Sequence, residues 1–150
     1  NMTIQQKVEG FTAQMQCHNL SPRIYREGHS SDTLDAGRRL TLRLFDEGAL
    51  PTAIWCASDL MAIGVLDALK MRGISVPGDV SVVGHDNLYF GQFPGIKLTT
   101  LDTPKRELGT YAVNLAVSLM EDEKDKPDFK KVFTPTLVVR ESTGRLNPKC

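Results

Sequence analysis

Apolar positions recur along this chain with two periods, and the points where the period changes mark out its elements. Ile4, Val8, Phe11 and Met15 are spaced by four, three and four, which predicts an amphipathic helix. Thr3 and Gln6 form a capping box ahead of it, and it ends near His18-Asn19, before Ser21-Pro22. Arg23-Ile24-Tyr25 reads as a short strand entering the polar loop Glu27 to Asp32. Leu34, Leu40, Leu44 and Phe45 mark a second helix, closed by Gly48. Thr52 to Ala57 is short, apolar and β-rich, and it stops at Ser58-Asp59, a pair suited to capping a helix N-terminus. That helix runs to about Met71 and is terminated by Gly73. The turn Ile74-Ser75-Val76-Pro77-Gly78-Asp79 then leads into a second strand, Val80 to Gly84, followed directly by His85-Asp86-Asn87.

A strand, a helix of about four turns and a second strand in so few residues predict a right-handed βαβ unit of a parallel sheet. The fold class expected is therefore α/β, a parallel sheet flanked by helices. In such sheets ligands bind at the carboxyl ends of the strands, where Ser58-Asp59 and His85-Asp86-Asn87 both fall. The helix between the strands is apolar nearly all round (Leu60, Met61, Ile63, Val65, Leu66, Leu69). Such a helix is covered on more than one side; one cover is the sheet, and a subunit interface is a candidate for the other.

After Asn87 comes a loop with three aromatics in five residues, Tyr89, Phe90 and Phe93. Two readings stand: a contact surface, or aromatics folded back to seal the core. Leu98 to Leu101 reads as a strand, and Thr103-Pro104 as a cap with proline at the first helical position. The helix that follows carries Leu108, Tyr111, Ala112, Leu115 and Leu119. Residues 121–131 form a mixed-charge solvated connection, Val132 to Arg140 a strand broken by Pro135 and confined to an edge or crossover, and 145–150 a disordered tail.

Composition narrows the function. The 150 residues carry 18 basic and 18 acidic side chains, so the chain has no electrostatic footprint for nucleic acid. Three cysteines without close spacing (Cys17, Cys56, Cys150) fit a reducing cytoplasm better than a disulfide framework. No apolar run approaches membrane-spanning length, and the start has neither the basic residues nor the apolar core of a signal peptide. Position 1 is not methionine, which suggests a piece cut at an element boundary. The three histidines are scattered and no phosphate-binding loop or zinc motif occurs, so neither a metal nor a cofactor is expected. One enzyme reading was weighed, a hydrolase with Cys56 as nucleophile, His85 as base and Asp86 as orienter. Cys56 sits inside its strand, away from the turn, which disfavours it.

Residues 51–87, PTAIWCASDLMAIGVLDALKMRGISVPGDVSVVGHDN, resemble the lactose/galactose-repressor (LacI/GalR) family of bacterial transcription regulators. The family form is close to PTA-I-x-x-x-N-D-x-x-A-x-G, a helix, then V-P-x-D-[VI]-S-[VI]-V-G-[FY]-D. Lys7-Val8-Glu9-Gly10-Phe11 resembles its R-x-x-G-[FW], Leu98-Thr99-Thr100 with Pro104 and Gly109 its P-x-L-T-T…G, and Leu137 to Thr143 its L-V-x-R-x-S-T. The resemblance spans nearly the whole chain, in order. It implies one subdomain of a two-subdomain, periplasmic-binding-protein-like fold (type I), the C-terminal effector-binding and dimerisation part over residues 1–144. The helix 103–120 would belong to a first subdomain not in this chain.

The function implied is effector sensing, with a sugar as effector, in a cytoplasmic transcriptional repressor without catalytic activity. It would be a homodimer reaching operator DNA through a helix-turn-helix outside this chain. A periplasmic sugar-binding protein of a transporter is the rival in another class. By resemblance the ligand-binding positions are Asp86, Ser58, Lys7, His85 and Asp32, and the dimer positions Ile63, Asp67, Tyr89, Phe90 and Phe93. Asp86 matches the aspartate that accepts from effector hydroxyls; its plainer reading is a turn-stabilising carboxylate. Asp59 matches too, and its plainer reading is the helix cap. Ser58 stands in place of Asn, Lys7 in place of Arg, and His85 in place of Phe or Tyr. Ser31 or Asp32 falls where the family carries a stacking aromatic.

Overall fold

A computed structural model describes residues 2–26, 33–48, 50–120 and 130–145. The elements run α1 (Met2–Cys17), α2 (Leu34–Asp46), β1 (Ala53–Trp55), α3 (Asp59–Met71), β2 (Ser81–His85), a 3₁₀ turn (Tyr89–Gln92), β3 (Thr99–Asp102), α4 (Lys105–Met120) and β4 (Thr136–Val138). The sheet order is β1-β2-β3-β4, with the first three strands parallel and β4 antiparallel to β3. Its core is Cys56, Ala62, Val65, Leu69, Val80, Val82 and Leu98, where α3 lies on the sheet.

Most expected elements form, and the departures are local. Arg23-Ile24-Tyr25 joins no ladder. Side chains hold this segment instead, with Arg23 and the Tyr25 hydroxyl both donating to Glu47; a three-residue strand gains its stability only from a partner, so propensity alone does not make one. Helix α1 already includes Met2, so Thr3 lies in its first turn rather than ahead of it. The strand expected over Val132 to Arg140 shrinks to Thr136–Val138, just past Pro135, whose ring cannot donate to a ladder. The aromatic loop contains one 3₁₀ turn. Residues 121–129 and 146–150 lie outside the described residues.

Helix α3 has its second cover inside the chain. Gly37 of α2 and Gly64 of α3 face each other at a close crossing: a Cβ on Gly37 would overlap the Met61 carbonyl oxygen, and one on Gly64 that of Leu34. With the sheet on one side and α2 on another, α3 leaves Leu60, Asp67, Lys70 and Met71 exposed and Ile63 half-buried, and Asp67 pairs with Arg38 at 3.5 Å. Helix α4 differs from the rest. It buries none of its residues, and Leu108, Val113, Val117 and Leu119 stay exposed.

The residues after β4 act as a wedge. Ser142 donates from Oγ to the Val82 carbonyl (2.6 Å) and accepts from the Thr99 amide (2.8 Å), while its own carbonyl accepts from the Val82 amide (2.8 Å). It therefore satisfies both strands where β2 and β3 are not yet paired, since their register begins at Val83–Thr99. Thr143 bonds the Thr99 hydroxyl at 2.9 Å.

The glycine crossing gives a prediction with two signs. Alanine at Gly64 gains about 1 kcal/mol in helix propensity, but it must displace backbone, and overpacking costs about 1–3 kcal/mol. Gly64→Ala is thus expected to destabilise. Gly10 in α1 has open space around a Cβ, so Gly10→Ala is expected to stabilise by up to about 1 kcal/mol. Urea denaturation of the two variants measures both; a stabilised Gly64→Ala would mean that α2 and α3 separate freely.

Candidate functional site

The first two parallel strands end side by side, β1 running on through Cys56 and Ala57 and β2 ending at His85. Lys7 reaches this end from α1, its Nζ donating to the Ala57 carbonyl at 3.1 Å. One helical turn on, Phe11 stacks on Trp55 with ring centroids 5.3 Å apart, and this fixes α1 over the end of β1. His85 and Asp86 follow, with His85 Nε2 3.9 Å from Asp86 Oδ1. Lys7, His85 and Asp86 are thus brought together at one end of the sheet.

Ser58 is placed differently. It is 3 % exposed and is the N-cap of α3, its Oγ accepting from the Met61 amide at 3.3 Å. The expected cap role of Asp59 passes to this neighbour. Asp59 is the first residue of the helix, fully buried, and its carboxylate ties two other segments. Oδ1 accepts from the Thr100 hydroxyl (2.6 Å) and Oδ2 from the Leu88 amide (2.7 Å). Ser31 and Asp32 lie outside the described residues. Tyr89 (76 % exposed), Phe93 and half-buried Phe90 cluster beyond the site, with Tyr89 edge-on to Phe93 at 5.1 Å.

The loop after β2 has a costly backbone. Asp86 has φ +109° and Asn87 φ +49°, both in the region that side chains rarely adopt. Four hydrogen bonds hold it there. The amide of Asp86 donates to the Leu101 carbonyl (2.9 Å), that of Asn87 to the Thr100 hydroxyl (3.3 Å) and that of Leu88 to Asp59. Arg140 completes the set, donating from Nη2 to Asn87 Oδ1 (2.7 Å) and from Nη1 to the Leu98 carbonyl (2.6 Å). Sequence reasoning named the segment containing Arg140 only as a motif; its separation from Asn87 along the chain carried no signal of contact. It also passed over Asp102 and Lys105 at the end of β3, an ion pair at 3.1 Å.

Burial pushes the His85 imidazole below its ordinary value, and the Lys7 charge adds to this, against smaller opposing effects of Asp86 and Asp59. Its Nδ1 is the one buried side-chain nitrogen or oxygen without a hydrogen-bond partner among the described residues. The arrangement is a neutral imidazole between a cation and a carboxylate, suited to binding polar groups. It is ill-suited to the weighed hydrolysis. Cys56 is buried and its thiol is pushed up to about 12 by burial and by the Asp59 charge, so no thiolate forms near neutrality. Among the described residues no group of three His, Cys, Asp or Glu could hold a metal ion, and no helix is long and apolar enough to cross a membrane.

The histidine makes stability depend on pH in a definite direction. Its folded-state pKa lies below the ordinary 6.5, so on acidification the unfolded chain takes up the proton first. The contribution is full above about 6.5 and is lost as pH falls through the folded value. Thermal melting from pH 8 down to 5 is expected to show a steeper decline for the parent than for His85→Phe, which cannot titrate. Parallel declines would mean that protonated His85 is accommodated without cost.

Residues 3–143 match the periplasmic binding protein-like domain family. The HTH-type transcriptional repressor PurR of Actinobacillus pleuropneumoniae is 35% identical over 146 residues, covering 95% of this chain and 43% of that protein. A dimeric Lac repressor structure with an 11-residue C-terminal deletion superposes with a TM-score of 0.87 at 27% identity, covering 98% of this chain and 53% of that one. The LacI family transcriptional regulator from Lactobacillus casei with bound sucrose superposes with a TM-score of 0.76 at 26% identity, covering 93% and 51%. The chain thus spans less than half the length of the curated relative and about half that of the solved structures. Its fold, the order of its motifs and these similarities agree, and the chain belongs to the LacI/GalR family of transcriptional regulators, within which it corresponds to the C-terminal effector-binding part.

Proposed function

We propose that this chain senses a small-molecule effector, a sugar, and dimerises on behalf of a bacterial, cytoplasmic DNA-binding repressor. The observation that carries the reading is the loop after β2. An aspartate at the carboxyl end of a parallel strand, kept at φ +109° beside Lys7 and His85, supplies acceptor and donors within a small space. A polyhydroxylated ligand uses both at once. The sucrose bound to the Lactobacillus casei relative supports a sugar. Asp86, Lys7 and His85 are the contacts we assign first; Ser58 acts through the turn it caps, and Asp32 is a further position assigned by family resemblance. The exposed apolar face of α4 is covered by a further part of the protein, which also supplies the other wall of the cleft. Ligand then shifts the regulator between arrangements that differ in operator affinity, and DNA is reached through a helix-turn-helix domain, as the name of the PurR relative suggests.

Asp86→Ala in the intact regulator is expected to raise the effector midpoint roughly 10- to 150-fold, the loss of a charge-assisted hydrogen bond of about 1.5–3 kcal/mol. Operator binding without effector should persist. An operator-release titration reads the shift, and an unchanged midpoint removes Asp86 from the site.

Dimerisation is assigned to Ile63 and Asp67 of α3 with Tyr89, Phe90 and Phe93. Tyr89 and Phe93 are exposed and Ile63 and Phe90 half-buried, and a two-fold axis sets such a patch against itself. Sedimentation equilibrium is expected to show a dimer for the 150-residue chain at tens of micromolar, roughly the −6 kcal/mol regime, and a monomer for Tyr89→Glu/Phe90→Glu. A dimer indifferent to those charges would put the contact on α4 instead.

A further inference from the structure

We infer that Arg140 and Asp59 are positioning residues, which hold Asp86 in the orientation its ligand meets. This rests on the reading of Asp86 as the effector contact. Neither side chain belongs to the loop they fix. Asp59 comes from the first turn of α3, and Arg140 from just beyond β4.

Two consecutive non-glycine residues at positive φ are unfavourable, and they persist only where surroundings over-determine them. Here each of the three consecutive amides, Asp86, Asn87 and Leu88, has its own acceptor, and only the first acceptor is an ordinary strand carbonyl. The second is the Thr100 hydroxyl, whose own proton goes to Asp59, and the third is Asp59 itself. Thr100 is thereby oriented by Asp59, so one buried carboxylate sets two of the three bonds.

Arg140 closes the loop from the other side. Its two terminal nitrogens reach acceptors eleven residues apart in sequence, Asn87 Oδ1 and the Leu98 carbonyl. A planar fork spans both at fixed separation, whereas a lysine ammonium is a single point of charge. The 3₁₀ turn is seated on the same pair. A Cβ on Gly91 would lie 3.8 Å from Arg140 Nη1 and 3.9 Å from Asp59 Oδ2, and the Gly91 carbonyl accepts from the Leu98 amide at 2.8 Å. The ligand-facing aspartate and the aromatic turn beyond it are thus clamped as one piece.

The test uses Asn87→Ala, Arg140→Met, Arg140→Lys and Asp86→Asn, in the 150-residue chain for the spectra and in the intact regulator, whose cleft is complete, for sucrose binding. Asn87→Ala removes the acceptor of Arg140 and adds left-handed strain at residue 87 alone, so the cross-peak and exchange at Asp86, whose own residue type is unchanged, remain informative if Arg140→Met fails to fold. NMR reads the strong intraresidue amide–Hα cross-peaks that mark positive φ at residues 86 and 87 and amide exchange at 86–88, and calorimetry on the intact regulator reads sucrose affinity. We expect Asn87→Ala and Arg140→Met to lose the cross-peaks and to speed exchange at these amides about tenfold or more, while α2 and α3 amides keep the parent rates. Arg140→Lys should not restore the parent spectrum. Sucrose affinity should fall in Asn87→Ala as well as in Asp86→Asn. Retained cross-peaks and exchange rates in both Asn87→Ala and Arg140→Met would overturn the positioning role, as would lost cross-peaks with parental sucrose affinity. Asp86→Asn titrating like the parent, or a parent indifferent to sucrose, would count against the underlying reading of the site or its ligand, and the cross-peaks would still decide the role of Arg140.

Discussion

A fully buried carboxylate organises this domain. Removing an ion from water costs several kcal/mol unless its lone pairs are met, and Asp59 meets them with the Thr100 hydroxyl and the Leu88 amide. The solution constrains its neighbours. Gly84 has to lack a side chain, because a Cβ there would overlap Asp59 Oδ1. Ser58 takes over the capping of α3, since Asp59 turns inward. Thr100, fully buried in β3, has to be a hydroxyl residue that both donates to Asp59 and accepts from Asn87. A helix start, a strand and the loop at the strand's end are thereby joined at one point, the end of the sheet where Lys7, His85 and Asp86 meet.

A second constraint acts from the other side of α3. The facing glycines bring α2 and α3 into backbone contact, which settles which part of an almost wholly apolar helix is left to look outward. The positions proposed for sensing and for association lie close together in sequence, with three residues between Asp86 and Phe90.

His85 illustrates how a scaffold can be kept while its pocket chemistry changes. The resemblance led us to expect Phe or Tyr at this position. An imidazole there brings a ring nitrogen that the surrounding apolar packing does not partner, and burial with the nearby Lys7 keeps the ring neutral to lower pH than an exposed histidine. The histidine adds polarity and a pH dependence beside Asp86, the proposed effector contact, without altering the strand that carries it.

Much of the domain was legible before any coordinates. Periodicity located α1, α2, α3 and α4 because an amphipathic helix writes its buried face into local spacing, and Gly48 and Gly73 announced helix ends because only positive φ (+73° and +69°) closes them cheaply. Strand, helix and strand in succession fixed the parallel unit and hence which end of the sheet is the candidate for a site. Apart from the start of α1 and the shortening of β4 after Pro135, the exceptions depended on partners distant in sequence. Arg23-Ile24-Tyr25 has the residues of a strand and no ladder, since pairing is decided by a neighbour and not by the segment. Asp59 looked like a cap, and its burial under Thr100 and Leu88 is set by residues about thirty to forty positions away. Arg140 looked like part of a terminal motif, and its grip on Asn87 spans 53 positions. Local sequence determined the elements and their order, because short-range sterics and periodic burial act within a few residues. Tertiary structure alone decided which polar side chains became buried clamps, because a buried charge is stable only where the rest of the fold delivers its hydrogen-bond partners.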